Sequence, residues 1–156
     1  MQQKFTEEQY AKMLPKKQVG TAVIFFNRKG ELLIIKPNYK DGWLVPGGST
    51  DNNESPLSCA TRETKEEIGL DVNDLQLVGV YYAPPKGFFS DSLKFVFFGG
   101  VLSKNQIFKI HLQSEELEKY DFVSPEKALS LLSPSLQKSI PPCLIALKDN
   151  NVAYIE

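Results

Sequence analysis

Apolar residues occur along this chain in short runs separated by polar turns, a pattern that predicts β-strands. The runs at 20–26 and 31–36 are rich in Val, Ile, Leu and Phe, and polar residues 27–30 separate them. Short runs of β-branched and aromatic residues between turn residues are typical of strands. By the same criterion, further strands are predicted at 43–45, 76–83, 93–102, 120–123 and 152–155.

Between these runs, the chain predicts four helices. The central one lies between Ser55, a good N-cap, and Gly69, a good left-handed C-terminal cap, with Pro56 at its first position. The other three are expected at about 6–14, 125–132 and 136–147. Strands on both sides of a central helix, with helices again late in the chain, predict an α/β fold with a sheet packed between helical layers.

The central helix carries two distinct faces. At 100° per residue, one side is expected to face the core and is formed by Leu57, Ala60, Thr61, Thr64 and Ile68. Glu63, Glu66 and Glu67 project within an arc of about 100° on another side. Carboxylates this close repel one another, and a hard divalent cation such as Mg²⁺ would hold them together. Arg62 lies one turn before Glu66 and is expected to pair with it.

Composition and length narrow the class of protein. The chain has 156 residues, of which 42% are hydrophobic and 24% charged, as expected for one soluble globular domain. A formal charge of −1 provides no general attraction for nucleic acid or membrane, so neither is expected as a partner. The two cysteines lack metal-ligand spacing, and no secretory or membrane-spanning segment is evident. We therefore expect a cytoplasmic protein with an N-terminal arm or short helix at 1–18 and a single domain at 19–156.

The stretch from Gly48 to Leu70 resembles the Nudix box, G-x5-E-x7-R-E-U-x-E-E-x-G-U, in which U is a bulky aliphatic residue. The fixed positions are taken by Gly48, Glu54, Arg62, Glu63, Glu66, Glu67 and Gly69. Seven fixed residues would match by chance about once in 10⁸ starts. An acidic run alone is commonly a solvated helix face, but that interpretation does not explain the spaced glycines. Two departures, Thr64 at a U position and Asn53 where many members carry glycine, remove no carboxylate.

Resemblance to the Nudix hydrolase family implies an α/β/α sandwich with a mixed β-sheet between helices. It also implies Mg²⁺-dependent hydrolysis of a nucleoside diphosphate linked to another group, with Mn²⁺ able to substitute for Mg²⁺. By matched position, Glu63 and Glu67 are expected to bind the metal, and Glu66 to be a third ligand or a base. The main-chain carbonyl of Gly47 is a further expected ligand. Two residues of the motif are expected to support these ligands, Glu54 and Arg62.

The general base is left open by the sequence. In several relatives it lies outside the box, in a loop late in the chain, where this sequence has Glu115 and Glu116. We take Glu116 as a catalytic residue, although the same segment also fits an ordinary acidic loop or helix start. Glu66 and the lone His111 are the other candidates.

The substrate is predicted only in outline. The residues around the loop before the box are expected to contact the substrate. They are Lys36, Tyr39, Lys40 and Trp43. Pro84 and Pro85 lie close to where ADP-ribose-hydrolysing relatives carry a proline, and Pro85 is therefore a candidate substrate contact. Prolines are also plain turn formers. Phe88 and Phe89 occupy a region where dinucleoside-polyphosphate hydrolases tend to carry tyrosine.

Three functions are therefore compared. The first is hydrolysis of a small nucleotide such as ADP-ribose or another nucleotide sugar. The second is hydrolysis of a modified nucleoside triphosphate, and the third is a catalytically silent ligand sensor. The intact carboxylate set argues against the sensor. Dimers are common among relatives, so a homodimer is considered, although nothing in the sequence marks an interface.

Overall fold

Across residues 5–156, the part of the chain that this computed structural model describes, six strands form one mixed sheet. They are β1 (Gln18–Phe26), β2 (Leu32–Pro37), β3 (Gln76–Ala83), β4 (Ser92–Val101), β5 (Leu117–Val123) and β6 (Ala153–Ile155). Their order in the sheet is β5-β2-β1-β4-β3-β6. β1 runs parallel to β4 and β3 runs parallel to β6, while the other neighbours are antiparallel.

Helices cover both faces of this sheet. They are α1 (Glu7–Met13), α2 (Pro56–Ile68), α3 (Lys104–Phe108), α4 (Pro125–Leu131) and α5 (Pro134–Lys148). Because side chains alternate along a strand, β1 contributes to two cores. Val23 and Phe25 belong to the core beneath α2, whereas Ala22 and Ile24 belong to the core beneath α4 and α5. The predicted α/β/α arrangement with a mixed sheet is confirmed.

Two local predictions are wrong, and one helix was not predicted. Residues 43–45 are not a strand, because Leu44 pairs with Ile35 while Trp43 pairs with Leu132, so the backbone bonds of this segment go to two different elements. Helix α3 was not predicted, since it is too short for a periodic pattern. It is stabilised by reciprocal hydrogen bonds between Ser103 and Gln106 at its first turn.

The predicted position of Leu57 is also wrong, because this residue was expected in the core and is half exposed. Burial along α2 begins only at Cys59, one turn into the helix, and continues through Ala60, Thr64 and Ile68. The buried side also includes Glu67, which the helical pattern had grouped with the outward carboxylates. The buried side of α2 therefore differs from the predicted one, because tertiary packing also covers one of the acidic residues, Glu67.

The N-terminal part contributes little to either core. Helix α1 is capped by Thr6 and has no buried residue, while the first four residues of the predicted arm lie outside the described residues. The boundaries 1–18 and 19–156 stay predictions, as does the cytoplasmic location. None of the helices in the described part of the chain is long and apolar enough to cross a membrane. Cys59 and Cys143 are buried free thiols.

Candidate active site

The site is organised by the segment Pro46–Gly48, which precedes α2 in the chain and lies along β1. β1 pairs with β2 only at Phe26, so the earlier part of its edge is free to bind this segment. Thr21 N donates to Gly48 O at 2.8 Å, and Val23 N donates to Pro46 O at 2.7 Å. The turn approaches β1 so closely that a Cβ at Gly47 would lie 2.3 Å from Thr21 O. Only glycine fits this contact.

Local chemistry sets the limits of α2 as the sequence predicts. Ser55 Oγ accepts a hydrogen bond from Ser58 N, and Gly69 ends the helix with a φ of 74°. Asn53 adopts a φ of 61° in the preceding loop, a conformation that asparagine tolerates better than most residues. The buried hydroxyl of Thr64 donates to Ala60 O at 2.7 Å, which satisfies it at a position where the motif has an aliphatic residue.

Arg62 connects the loop before α2 with the acidic face of the helix. Its Nε and Nη2 donate to the two oxygens of Glu54, each at 2.9 Å. Its Nη1 donates to Glu63 Oε1 at 3.0 Å and to Glu66 Oε2 at 2.9 Å. The hydrogen bonds from Arg62 and from Asp51 N hold the pKa of Glu54 at about 2. Glu54 and Arg62 therefore fix the loop and orient two carboxylates of the site.

Glu67 is the carboxylate that the fold isolates from water. Only 7% of it is exposed, and its Oε2 accepts one hydrogen bond, from Gly47 N at 2.8 Å. Burial raises the pKa of Glu67 to about 8, against the effect of that hydrogen bond, and the charges of Glu63 and Glu116 add to the rise. Burial also raises the pKa of Glu63, whose carboxylate lies against Gly48. Both groups would be stabilised by a nearby cation.

The oxygen donors here fit a hard divalent cation in their chemistry. The Gly47 carbonyl accepts no hydrogen bond from the described residues, whereas the carbonyls of Pro46 and Gly48 bond to β1. This carbonyl, with the carboxylates of Glu63 and Glu67, forms an all-oxygen set of the kind Mg²⁺ prefers. Among residues 5–156, no three acidic, His or Cys side chains converge on one point as they stand. Arg62 pairs instead with Glu66 and with one oxygen of Glu63.

A cavity of about 440 Å³ opens beside these carboxylates. Its acidic wall is formed by Glu63, Glu67 and Glu116, and Tyr39, Lys40 and Lys94 also line it. The apolar part of the lining includes Ala22, Val45 and Leu136. The volume lies within the range of small-molecule sites, which are commonly apolar with a few placed polar groups.

Of the three proposed bases outside the box, only Glu116 lines this cavity. It is exposed in the turn before β5, and its charge contributes to the raised pKa of both Glu63 and Glu67. Glu115 is exposed and uses its backbone carbonyl to accept from Asn38 Nδ2. His111 is exposed, beside the C-terminal end of α2. The catalytic role of Glu116 stays a prediction.

The five predicted substrate contacts are dispersed, and among them Tyr39 and Lys40 line the cavity. Lys36 lines a shallow neighbouring pocket, where its Nζ donates to two backbone carbonyls. Trp43 packs against the core below α4 and α5, with the Nζ of Lys119 5.6 Å from its ring centroid. Pro85 is exposed in the β3–β4 connection and does not line the cavity. Their roles in substrate binding stay predictions.

Sequence reasoning missed one cationic residue of the cavity, Lys94. It interrupts an otherwise apolar stretch of β4, two residues before the buried Val96. Residues two apart on a strand share a face. A single lysine on the core-facing side of an apolar strand was therefore the feature of the sequence that could have identified Lys94.

Metal-free protein should lose stability as the pH rises through neutrality, because of Glu67. The pKa of its carboxyl is raised from 4.5 to about 8 in the folded state. Between these values the folded protein keeps a proton that the unfolded chain has released, so the free energy of unfolding falls as the pH rises. One such group contributes at most about 1.4 kcal/mol per pH unit. The stabilisation is complete below the lower value and is lost as the pH passes the higher one.

Urea unfolding in the presence of a chelator, at several pH values between about 5 and 8, measures this slope. Glu67→Gln should flatten it, because an amide does not titrate. In the Glu67→Gln variant a smaller slope than in the wild type should remain, because the pKa of Glu63 is raised in the same direction. Identical slopes in the two proteins would contradict the assignment.

Comparisons with known proteins identify the class. A solved structure of a MutT protein from Methanosarcina mazei Go1 superposes with a TM-score of 0.67 and 23% identity, covering 88% of this chain and 98% of that one. This likeness defines the fold. The family model of the NUDIX domain matches residues 16–143. The chain therefore belongs to the NUDIX domain family, and the predicted family membership is confirmed.

Curated relatives carry several activities in their names. An RNA pyrophosphohydrolase of Hydrogenovibrio crunogenus is 37% identical over 60 residues, which cover 38% of this chain and 36% of that protein. A putative 8-oxo-dGTP diphosphatase of Bacillus subtilis is 28% identical over 133 residues, covering 85% of this chain and 84% of that protein. The first match therefore spans about a third of that relative, whereas the second spans most of it.

Proposed function

We propose that this protein hydrolyses a diphosphate bond of a nucleotide bound in the cavity beside α2, with the help of a divalent cation such as Mg²⁺. The observation that carries this proposal is the buried carboxylate of Glu67, next to Glu63 and to the Gly47 carbonyl, which accepts no hydrogen bond from residues 5–156. A carboxylate buried with a single hydrogen-bond donor is costly to ionise. A cation in contact with it would remove that cost, and a diphosphate in the cavity would lie against the same cation.

Glu63, Glu67 and the Gly47 carbonyl would hold the metal, and Glu66 would join them if it left Arg62. When bound, the cation neutralises phosphate charge and lowers the pKa of bound water. Arg62 keeps Glu63 and Glu66 oriented through its contacts to both carboxylates and to Glu54. Glu116, on the same cavity wall, would accept the proton of the attacking water. Glu66 remains the alternative base.

For the substrate, we propose a nucleoside diphosphate linked to another group, ADP-ribose or another nucleotide sugar being examples. A modified nucleoside triphosphate is the second candidate, favoured by the relative from Bacillus subtilis because that match covers most of both chains. The short match to an RNA pyrophosphohydrolase adds a triphosphorylated RNA end as a substrate to test.

The proposal is tested by measuring the products released from a panel of substrates, with Mg²⁺, with Mn²⁺ and with a chelator. The panel comprises ADP-ribose, other nucleotide sugars, nucleoside triphosphates including 8-oxo-dGTP, and a 5′-triphosphorylated RNA. We expect turnover of at least one member with either metal and none with the chelator. Folded protein that turns over no member at high concentration would contradict the proposal and favour a ligand sensor.

A further inference from the structure

The turn that carries Glu116 is fastened at its start to the end of helix α2. Gln113 N donates to Glu67 O at 3.1 Å, and His111 N donates to Ile68 O at 3.0 Å. The last carbonyls of a helix have no partner within it, so the backbone before the turn satisfies two of them. Gln113 O in turn accepts from Glu116 N at 3.0 Å. A path of backbone hydrogen bonds therefore links Glu67, the expected metal ligand, to Glu116.

The other side of the turn lies against the end of β2, where a proline removes a backbone donor. Pro37 is the last residue of β2 and lies opposite Leu117, next to a shift in the register with β5. Proline has no N–H, so β2 has no hydrogen bond to donate at this position. Asn38 follows with two donors, because its N donates to Glu116 O and its Nδ2 donates to Glu115 O, each at 2.9 Å. The turn is therefore held on both sides.

Asn38 differs from the other partners of this turn because it uses its side chain. Among residues 5–156, it supplies the one side-chain hydrogen bond that reaches the turn 113–116 from outside it. Asn38 is exposed and does not line the cavity, whereas Glu116 does. The amide of Asn38 is therefore placed to affect the reaction through the turn and not through contact with the substrate.

We propose that Asn38 is a positioning residue for the hydrolysis, which holds Glu116 where it accepts the proton of the attacking water. This inference rests on the proposed function, in which Glu116 is the base. In that step the water oxygen bonds to phosphorus, and the leaving phosphate departs with the electrons of the broken P–O bond. Glu116 takes the water proton, and Asn38 exchanges none. A base works only within hydrogen-bond reach of its proton, and small misplacements of reacting groups lower the rate.

The test is steady-state kinetics of Asn38→Ala with Mg²⁺, on whichever of ADP-ribose, a nucleoside triphosphate or 5′-triphosphorylated RNA the wild type turns over fastest. We expect kcat to fall by roughly 2- to 10-fold, the range of a single hydrogen bond. KM should stay unchanged, because Asn38 does not line the cavity. Asn38→Asp keeps the shape of the side chain but places an acceptor against Glu115 O, so kcat should fall at least as far.

Asn151→Ala is the matched control for the loss of an exposed hydrogen bond. The Oδ1 of Asn151 accepts from Val152 N at 2.8 Å, and Asn151 does not line the cavity. Its replacement should leave both kcat and KM unchanged.

A double-mutant cycle with Glu116→Gln distinguishes positioning of the base from a general structural role. Glu116→Gln should lower kcat by roughly 100-fold or more, as expected for loss of a general base. Adding Asn38→Ala should then lower kcat no further, because residues that act as a unit are not additive. Thermal unfolding should show the same small decrease for Asn38→Ala in either background, since the bond to Glu115 O is lost in both.

Three results would overturn the inference. They are an unchanged kcat in Asn38→Ala, an equal loss of kcat with and without Glu116→Gln, and an effect confined to KM. The last of these would place the action of Asn38 on the substrate and not on the base.

The same measurements separate this inference from the proposed function. Wild-type kcat in Glu116→Gln would overturn the inference and leave metal-dependent hydrolysis standing, with Glu66 as the alternative base. Absence of turnover by the folded wild type on every member of the substrate panel would refute both.

Discussion

Glu67→Gln should lower turnover by more than roughly 100-fold and abolish the stabilisation of this protein by Mg²⁺. Replacing residues that only support a metal ligand typically costs 10- to 100-fold, and Glu67 is expected to be a ligand itself. The amide keeps the shape of the side chain and can still accept from Gly47 N, which lies 2.8 Å from the carboxylate. It lacks the negative charge that holds the cation. The measurements are kcat/KM and the change in melting temperature on addition of Mg²⁺.

Two controls distinguish this effect from a loss of folding. Metal-free Glu67→Gln should melt no lower than the wild type, because the substitution removes a buried carboxylate that has one hydrogen-bond donor. Glu126→Gln removes an exposed carboxylate from the first turn of α4 and should leave turnover and the Mg²⁺ response unchanged. A variant Glu67→Gln that kept wild-type turnover would refute the metal site.

Gly47→Ala should destabilise the protein by about 2–5 kcal/mol, the sum of steric overlap and backbone strain. The added Cβ would lie 2.3 Å from Thr21 O and 2.9 Å from Ala22 Cα, which are backbone atoms of β1 and cannot rotate away. The φ of 144° is also one that residues with a side chain rarely adopt. Any shift that relieves the overlap moves the N–H that holds Glu67, so turnover should fall as well. Thermal unfolding should show a decrease of roughly 5–15 °C.

Gly30→Ala provides the matched control for this prediction. Gly30 has a positive φ of 77°, but no atom lies within 4 Å of a Cβ built there. It should therefore cost only the backbone strain, roughly 1–2 kcal/mol, and leave turnover intact. Equal losses of stability in the two variants would show that the steric overlap with β1 contributes nothing to the destabilisation by Gly47→Ala.

Local features of the site were predictable because they depend on neighbours in sequence. Ser55 and Gly69 set the ends of α2 through a side-chain cap and a left-handed conformation, as expected from their chemistry. The hydrogen bond from Arg62 to Glu66 follows from helical spacing of four residues. Leu57 was misplaced because periodicity gives the angle of a residue around a helix and not the point at which the helix passes under the sheet.

The sequence by itself determined the family and the carboxylates carried by α2, because both depend on residue types at fixed spacing, and the mixed-sheet fold was implied by the resemblance to that family. Only the tertiary structure decided which carboxylate is isolated from water. Glu67 is buried since Pro46–Gly48 replaces β2 along β1 and brings the Gly47 N–H to it. The cavity likewise brings Lys94, Leu136 and Glu116 together from distant segments, through strand register and helix packing. Sequence spacing does not encode such contacts, because they depend on which surfaces the folded chain packs against each other.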